Sequence, residues 1–164
     1  MAGKTDFNPT EWELLKQAPL MASMLIAASH PSGPVGLIKE SAAAAKMMIG
    51  AAATAQTPLL KSLTEDLKQN MSLPTQPPSG KGADAMKQNA LDKLKDVAGL
   101  LSSKASPAEA DEVKGWLANV AKATAEASME GGFLGFGGVQ VSDTEKAALA
   151  ELDTVLGTKA AATA

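Results

Sequence analysis

The residue whose type most invites acid–base or metal chemistry is His30, the 1 histidine of the chain, because an imidazole titrates near neutral pH and ligates metals. It stands alone between Ser29 and Pro31. A di-iron bundle needs Glu-x-x-His on two helices with further Glu partners, and neither that motif nor a second His is present. A zinc centre needs several His, Cys or clustered carboxylates, and the chain has 0 cysteines. Haem ligation by His30 and one of the 8 methionines has no attachment motif behind it. Closing the C-terminus of a helix, where an imidazole interacts well with free carbonyls, is the role its neighbours suggest.

Nucleophilic catalysis needs a base beside a Ser, Thr or Lys, and no local motif such as Gly-x-Ser-x-Gly is present. The acid pairs Glu65–Asp66 and Asp111–Glu112 lie among lysines and polar neighbours, which reads as solvated helix surface. Nothing in the sequence gives a reason to bury them as a glycosidase pair. The reading is of a chain without catalytic, cofactor or metal residues.

One segment stands apart: Gly131-Gly132-Phe133-Leu134-Gly135-Phe136-Gly137-Gly138-Val139 sets two of the 3 phenylalanines in a run otherwise made of glycine. A Walker loop would finish in Gly-Lys-Ser/Thr, and a dinucleotide loop would follow a strand and open directly into a helix. Neither fits. Two readings stay open. Phe133, Leu134 and Phe136 fold back to plug the end of a bundle, with glycines permitting tight turns. Alternatively Phe133, Leu134, Phe136 and Val139 are presented to a partner protein, a second subunit or a membrane surface. Met21, Met24, Met47, Met48 and Met86 suggest either ordinary core filling or an adaptable wall for an apolar ligand or haem.

The elements that must position these residues are helices. The hydrophobic fraction of 45% comes mainly from Ala, Leu and Met, with aromatics at 3%, so a sheet would lack its usual filling. All 15 basic residues are lysine and the net charge is −3, which removes the guanidinium fork and argues against sequence-specific nucleic-acid binding. Met1 to Asn8 lacks the layout of a secretory signal, and the longest uncharged apolar run, Ala18 to Ala28, is about half the length that spans a bilayer. The expectation is a cytoplasmic protein, with peripheral membrane contact through the glycine-rich loop as an alternative.

Three helix starts carry a capping residue followed three positions on by Glu: Asn8-Pro9-Thr10-Glu11, Ser106-Pro107-Ala108-Glu109 and Ser142-Asp143-Thr144-Glu145. From Asn8 a helix sets Trp12, Leu15, Met21, Leu25 and Ala28 near one stripe, bent or divided at Pro19, and stops at Ser29 to Pro34. A second begins near Val35 and holds Leu37, Ile38, Ala42, Ala45, Met48 and Ile49. Thr57-Pro58 breaks it, and Leu59, Leu60, Leu63 and Leu67 follow on a short amphipathic helix. Met86, Ala90, Leu94, Val97 and Leu101, then Val113, Trp116, Leu117, Val120, Thr124 and Ala127, predict a hairpin of two antiparallel helices. The last helix buries Ala148, Leu149, Leu152 and Val155 and stops at Gly157.

The expected fold is all-α, a bundle of about five helices in a single domain over 1–164. It divides into an N-terminal half at 1–71, a Pro/Gly/Ser-rich connection at 72–82, a C-terminal half at 83–157 and a frayed tail at 158–164.

Val141-Ser142-Asp143-Thr144-Glu145-Lys146-Ala147-Ala148-Leu149 resembles the segment of TerB-like tellurite-resistance helical proteins in which a Gly turn precedes Val-Ser-x-x-Glu and an Ala/Leu-rich helix. Ala27 to Gly33 is similar to the earlier helix end of that family. The chain departs from the pattern at Gly137-Gly138, where the family has Asp before the turn Gly, and it lacks the acidic cluster that implies metal contact. It is also similar in general character to small bacterial helical proteins. The functional expectation is a non-enzymatic helical protein working by protein–protein contact or self-association as a homo-oligomer. The Gly/Phe loop and the Ala-rich stretch Ala42 to Ala55 are its contact elements. Carriage of an apolar molecule or haem is the alternative.

Overall fold

A computed structural model of the chain describes residues 2–29, 33–70, 82–129 and 141–158, and within these the side chains at 33–37, 70, 128 and 129 lie outside the description. The described residues form six α-helices and no strand: α1 (Pro9–Ser29), α2 (Gly33–Gly50), α3 (Pro58–Asn70), α4 (Ala83–Lys104), α5 (Pro107–Met129) and α6 (Asp143–Leu156), with 3-10 turns at Lys4–Asp6 and Ala51–Ala53. The all-α expectation therefore holds, with six helices rather than about five. Helix α3 is the short amphipathic helix expected after Thr57-Pro58; it stands apart because Pro58 has no amide hydrogen to continue the preceding helix and is well placed to begin a new one.

Capping chemistry sets the boundaries. The Asn8 amide donates to Glu11 Oε2 at 2.8 Å while Asn8 Oδ1 accepts from the Glu11 amide at 2.9 Å. At α6 the Ser142 amide donates to Glu145 Oε2 at 2.9 Å and the Glu145 amide returns a bond to Ser142 Oγ at 3.3 Å. Ser106 donates to Glu109 Oε2 from its amide at 3.0 Å and from its hydroxyl at 2.6 Å. The far end of α6 closes on Gly157 at φ 66°, a left-handed conformation open to glycine. There the Thr158 amide reaches Asp153 O at 3.0 Å and the Gly157 amide reaches Thr154 O at 3.3 Å.

Helix α1 runs undivided through Pro19, which is itself buried, with Leu15, Ala18, Ala22, Leu25 and Ile26 buried on both sides of it. Packing of those turns holds the helix together where the missing proline amide weakens it. Met21 and Ala28, expected on the same stripe, are only half-buried.

Packing crosses the sequence. Helix α1 lies mainly against α4 and α5, and α2 lies mainly against α5, so the connection near 72–82 divides the sequence but not the core. Helices α4 and α5, expected as an antiparallel hairpin, touch each other, but both pack on α1 far more than on each other. Side-chain bonds give the directions. Lys104, ending α4, reaches Glu11 at the start of α1 at 2.6 Å, so these two helices run in opposite senses. Thr124, late in α5, donates to Ser23 Oγ, late in α1, at 3.1 Å, so these two run in the same sense.

The core joins Leu15, Leu25 and Ile26 of α1 to Leu94 and Leu101 of α4, Leu117 of α5, and Leu152 and Leu156 of α6. Alanines at Ala22, Ala90, Ala121 and Ala125, each 0% exposed, let the helix axes approach closely where larger side chains would hold them apart. On α6, Ala148 and Leu152 are buried as expected, Leu149 and Val155 are half-buried, and Leu156 joins the core. No helix among the described residues is long and apolar enough to cross a membrane.

Candidate functional site

Several sequence-predicted site residues lie outside the described residues: His30, and Phe133, Leu134, Phe136 and Val139 of the Gly/Phe segment. The connection at 71–81 and the tail at 159–164 do so as well. The described residues carry two regions of chemical interest, a polar pole around the start of α1 and the outward face of α2.

At the pole the structure corrects the reading of Asp66 and Glu112 as solvated surface. Asp66 is buried: its Oδ2 accepts from Trp12 Nε1 at 2.6 Å and from Lys4 Nζ at 2.8 Å. Glu112, half-buried on α5, reaches the segment ahead of α3, where its two oxygens accept from the Gln56 amide at 2.6 Å and the Thr57 amide at 2.9 Å. Glu109 is 2% exposed and, besides its bonds from Ser106, accepts from the Ala2 amide at 2.7 Å. A buried carboxylate is tolerated only when donors replace its hydration, and each of these has them.

The missed signal was register. Asp66 falls three residues after Leu63 and seven after Leu59, and Glu109 falls four before Val113 and seven before Trp116, so each sits on the apolar stripe of its own helix. Glu40 on α2 and Glu145 on α6, each 2% exposed, obey the same rule: Glu40 leads Ala44 and Met48, and Glu145 leads Ala148 and Leu152.

These donors set the protonation behaviour. The Ser106 hydroxyl does most to hold the Glu109 carboxyl below its ordinary value; the Ser106 and Ala2 amides add to it, and burial opposes. Burial is the largest influence on Glu112 and pushes it up, but the Thr57 hydroxyl and the two amides together outweigh it and leave the group lowered. Glu11 is lowered by its bond from Lys104 and by the Asn8 amide.

Residues 2–8 lie across this pole and touch several helices. Ala2 bonds Glu109 on α5, Lys4 bonds Asp66 on α3, and the Phe7 ring sits 5.9 Å from that of Trp12 on α1. Lys104 of α4 donates to Asp6 O at 3.3 Å and lies 5.8 Å from the centre of the Phe7 ring. Only Ala2 and Phe7 are buried within the segment. Burying one Phe contributes about 1.5–3 kcal/mol and a bond to a charged group about 1.5–3 kcal/mol. Ordering the backbone costs about 1–2 kcal/mol per residue. Over seven residues the two sides are of similar size, so the segment is held only lightly.

The second region is α2. Its buried side is Glu40, Ala44 and Met48, while Ile38 is 71% exposed and Met47 40%. Ile38, Ala42, Ala45 and Ile49, spaced at four, three and four residues, make one stripe on which Ala42 is exposed and Ala45 and Ile49 are half-buried. Of the methionines, Met48 is in the core, Met47 is exposed, and Met21, Met24 and Met86 are half-buried on α1 and α4. An open apolar groove between α4 and α6 is lined by Leu91, Ala147, Ala150, Thr154 and Val155, with the Lys87–Glu151 ion pair at 2.9 Å on its edge. Among the described residues no three His, Cys, Asp or Glu side chains are grouped to hold a metal ion. No family model, curated protein or solved structure matches the chain.

Proposed function

We propose that this protein works without catalysis, as a helical scaffold that makes contact with another protein or with a second copy of itself. The outward stripe of α2 and the apolar residues Phe133, Leu134, Phe136 and Val139 are its contact elements. The observation that carries the reading is Ile38, a large apolar side chain 71% exposed in line with Ala42, Ala45 and Ile49. An exposed apolar stripe on an ordered helix is the usual form of a helix-mediated contact, with small residues letting the partner approach closely. The acids at the pole support the same view, because Asp66, Glu109 and Glu112 hold backbone and side-chain donors of the fold itself. Association takes place in the reducing setting of the cytoplasm, as a homo-oligomer when the partner is a second copy.

The test is sedimentation velocity over a range of concentrations, together with pull-down, for the native chain, for Ile38→Asp, and for the pair Phe133→Ser with Phe136→Ser. The expected result is association in the native chain that both variants weaken, with helix content unchanged. A native chain that stays monomeric, and whose captured partners neither variant alters, overturns the reading.

A further inference from the structure

We propose that residues 2–8 act as a latch that opens on acidification while the helices stay packed, uncovering Trp12. The inference is independent of the contact role above. It starts from the uneven way the segment is fastened. Two of its ties end on carboxylates, Ala2 on Glu109 and Lys4 on Asp66, whereas the helices behind it are joined by an apolar core in which Leu15, Leu94, Leu101 and Leu117 are at most 1% exposed. Protonation therefore acts on the ties of the latch, and on the ion pairs at the bundle surface such as Lys104–Glu11, but not on the apolar core that is the main adhesion of the helices.

The groups facing each tie set the direction. Glu109 faces the Ser106 hydroxyl and amide and the Ala2 amide, with a weaker pull from the chain's amino group. Asp66 accepts from Lys4 and from the Trp12 indole, among its partners. Lys104 keeps its bond to the Asp6 carbonyl and its place over the Phe7 ring, neither of which depends on a carboxylate. Once neutral, Asp66 still accepts from Trp12 but no longer attracts Lys4, and Glu109 loses the charge that makes its bonds from Ala2 and Ser106 strong. What then remains against the Trp12 ring is Phe7, itself under the Lys104 cation, and the ammonium of Lys4, 5.9 Å from the ring centre. Segments held by few buried contacts open at lower free energy than the core around them.

The experiment uses the full chain with Trp116→Phe, so that Trp12 is the remaining indole, titrated from about pH 7 to about pH 3, across the carboxylate range. Trp12 emission and far-ultraviolet circular dichroism are followed together. The emission midpoint is expected at higher pH than the loss of helix, and Phe7→Ala is expected to move it further toward neutral while leaving the helix midpoint in place. Should Trp116→Phe fail to fold, hydrogen exchange in the native chain at about pH 3.5, near the lower end of the carboxylate range, replaces it, with the Trp12 indole hydrogen expected to exchange roughly tenfold or more faster than the Leu117 amide. Coincident midpoints, or Phe7→Ala shifting both together, or equal protection of the two hydrogens, overturns the proposal.

Discussion

The pole around Trp12 and the outer face of α2 invert the ordinary rule of burial in opposite ways. At the pole Asp66 and Glu109 are inside, while on α2 Ile38 is outside. The difference teaches that helix register and the supply of donors decide where a side chain lies. Asp66 is inside because Leu59, Leu63 and Leu67 face inward with it and because an indole N–H meets it. Ile38 is outside because Glu40, Ala44 and Met48 occupy the face that α5 covers.

The contrast breaks most visibly at Trp12. Trp12→Ala removes a side chain 3% exposed and strips Asp66 of its indole donor, so urea unfolding is expected to show a loss of about 3–5 kcal/mol. Asp66→Ala leaves the Trp12 N–H buried without its acceptor, and the same measurement should register about 1–3 kcal/mol. Acid sharpens the comparison further. Glu109 and Glu112 are lowered by folding, so their contribution is complete above the ordinary carboxylate range and is lost as pH falls through their lowered folded values. Unfolding curves at neutral pH and in that acid range should therefore diverge for the native chain, and diverge less for Glu109→Gln and Glu112→Gln. The smallest effect belongs to α2: Ile38→Asp should change stability by no more than about 0.5 kcal/mol. A larger loss there would mean that the stripe is covered within the monomer.

Local signals placed the helices, because capping is written in adjacent residues. Asn8 with Glu11, Ser106 with Glu109, Ser142 with Glu145, the break at Thr57-Pro58 and the stop at Gly157 are each read within a few positions, and the helix ends fall there. Partnership between helices was not legible in the same way. Apolar spacing predicted α4 and α5 as a hairpin, but it gave no sign that α1, with Ala18 and Ala22 buried at its centre, would take most of the packing of both. Helix α2 was ambiguous for another reason. It is apolar on nearly every side, so periodicity identified a helix without choosing the face that α5 would cover. The buried carboxylates stayed hidden because their donors come from remote segments, Lys4 and Trp12 for Asp66 and Ala2 for Glu109.

The central place of α1 bears on how the protein is made. Its main neighbours, α4 and α5, are synthesised after it, and α5 ends about a hundred residues later than α1 does. At ~5–20 residues per second, a nascent chain carries the oily side of α1 uncovered for several seconds before those neighbours arrive. Ribosome-bound intermediates should therefore recruit chaperones until α5 has emerged, and a chain stalled within α4 should be more prone to aggregate than the released protein.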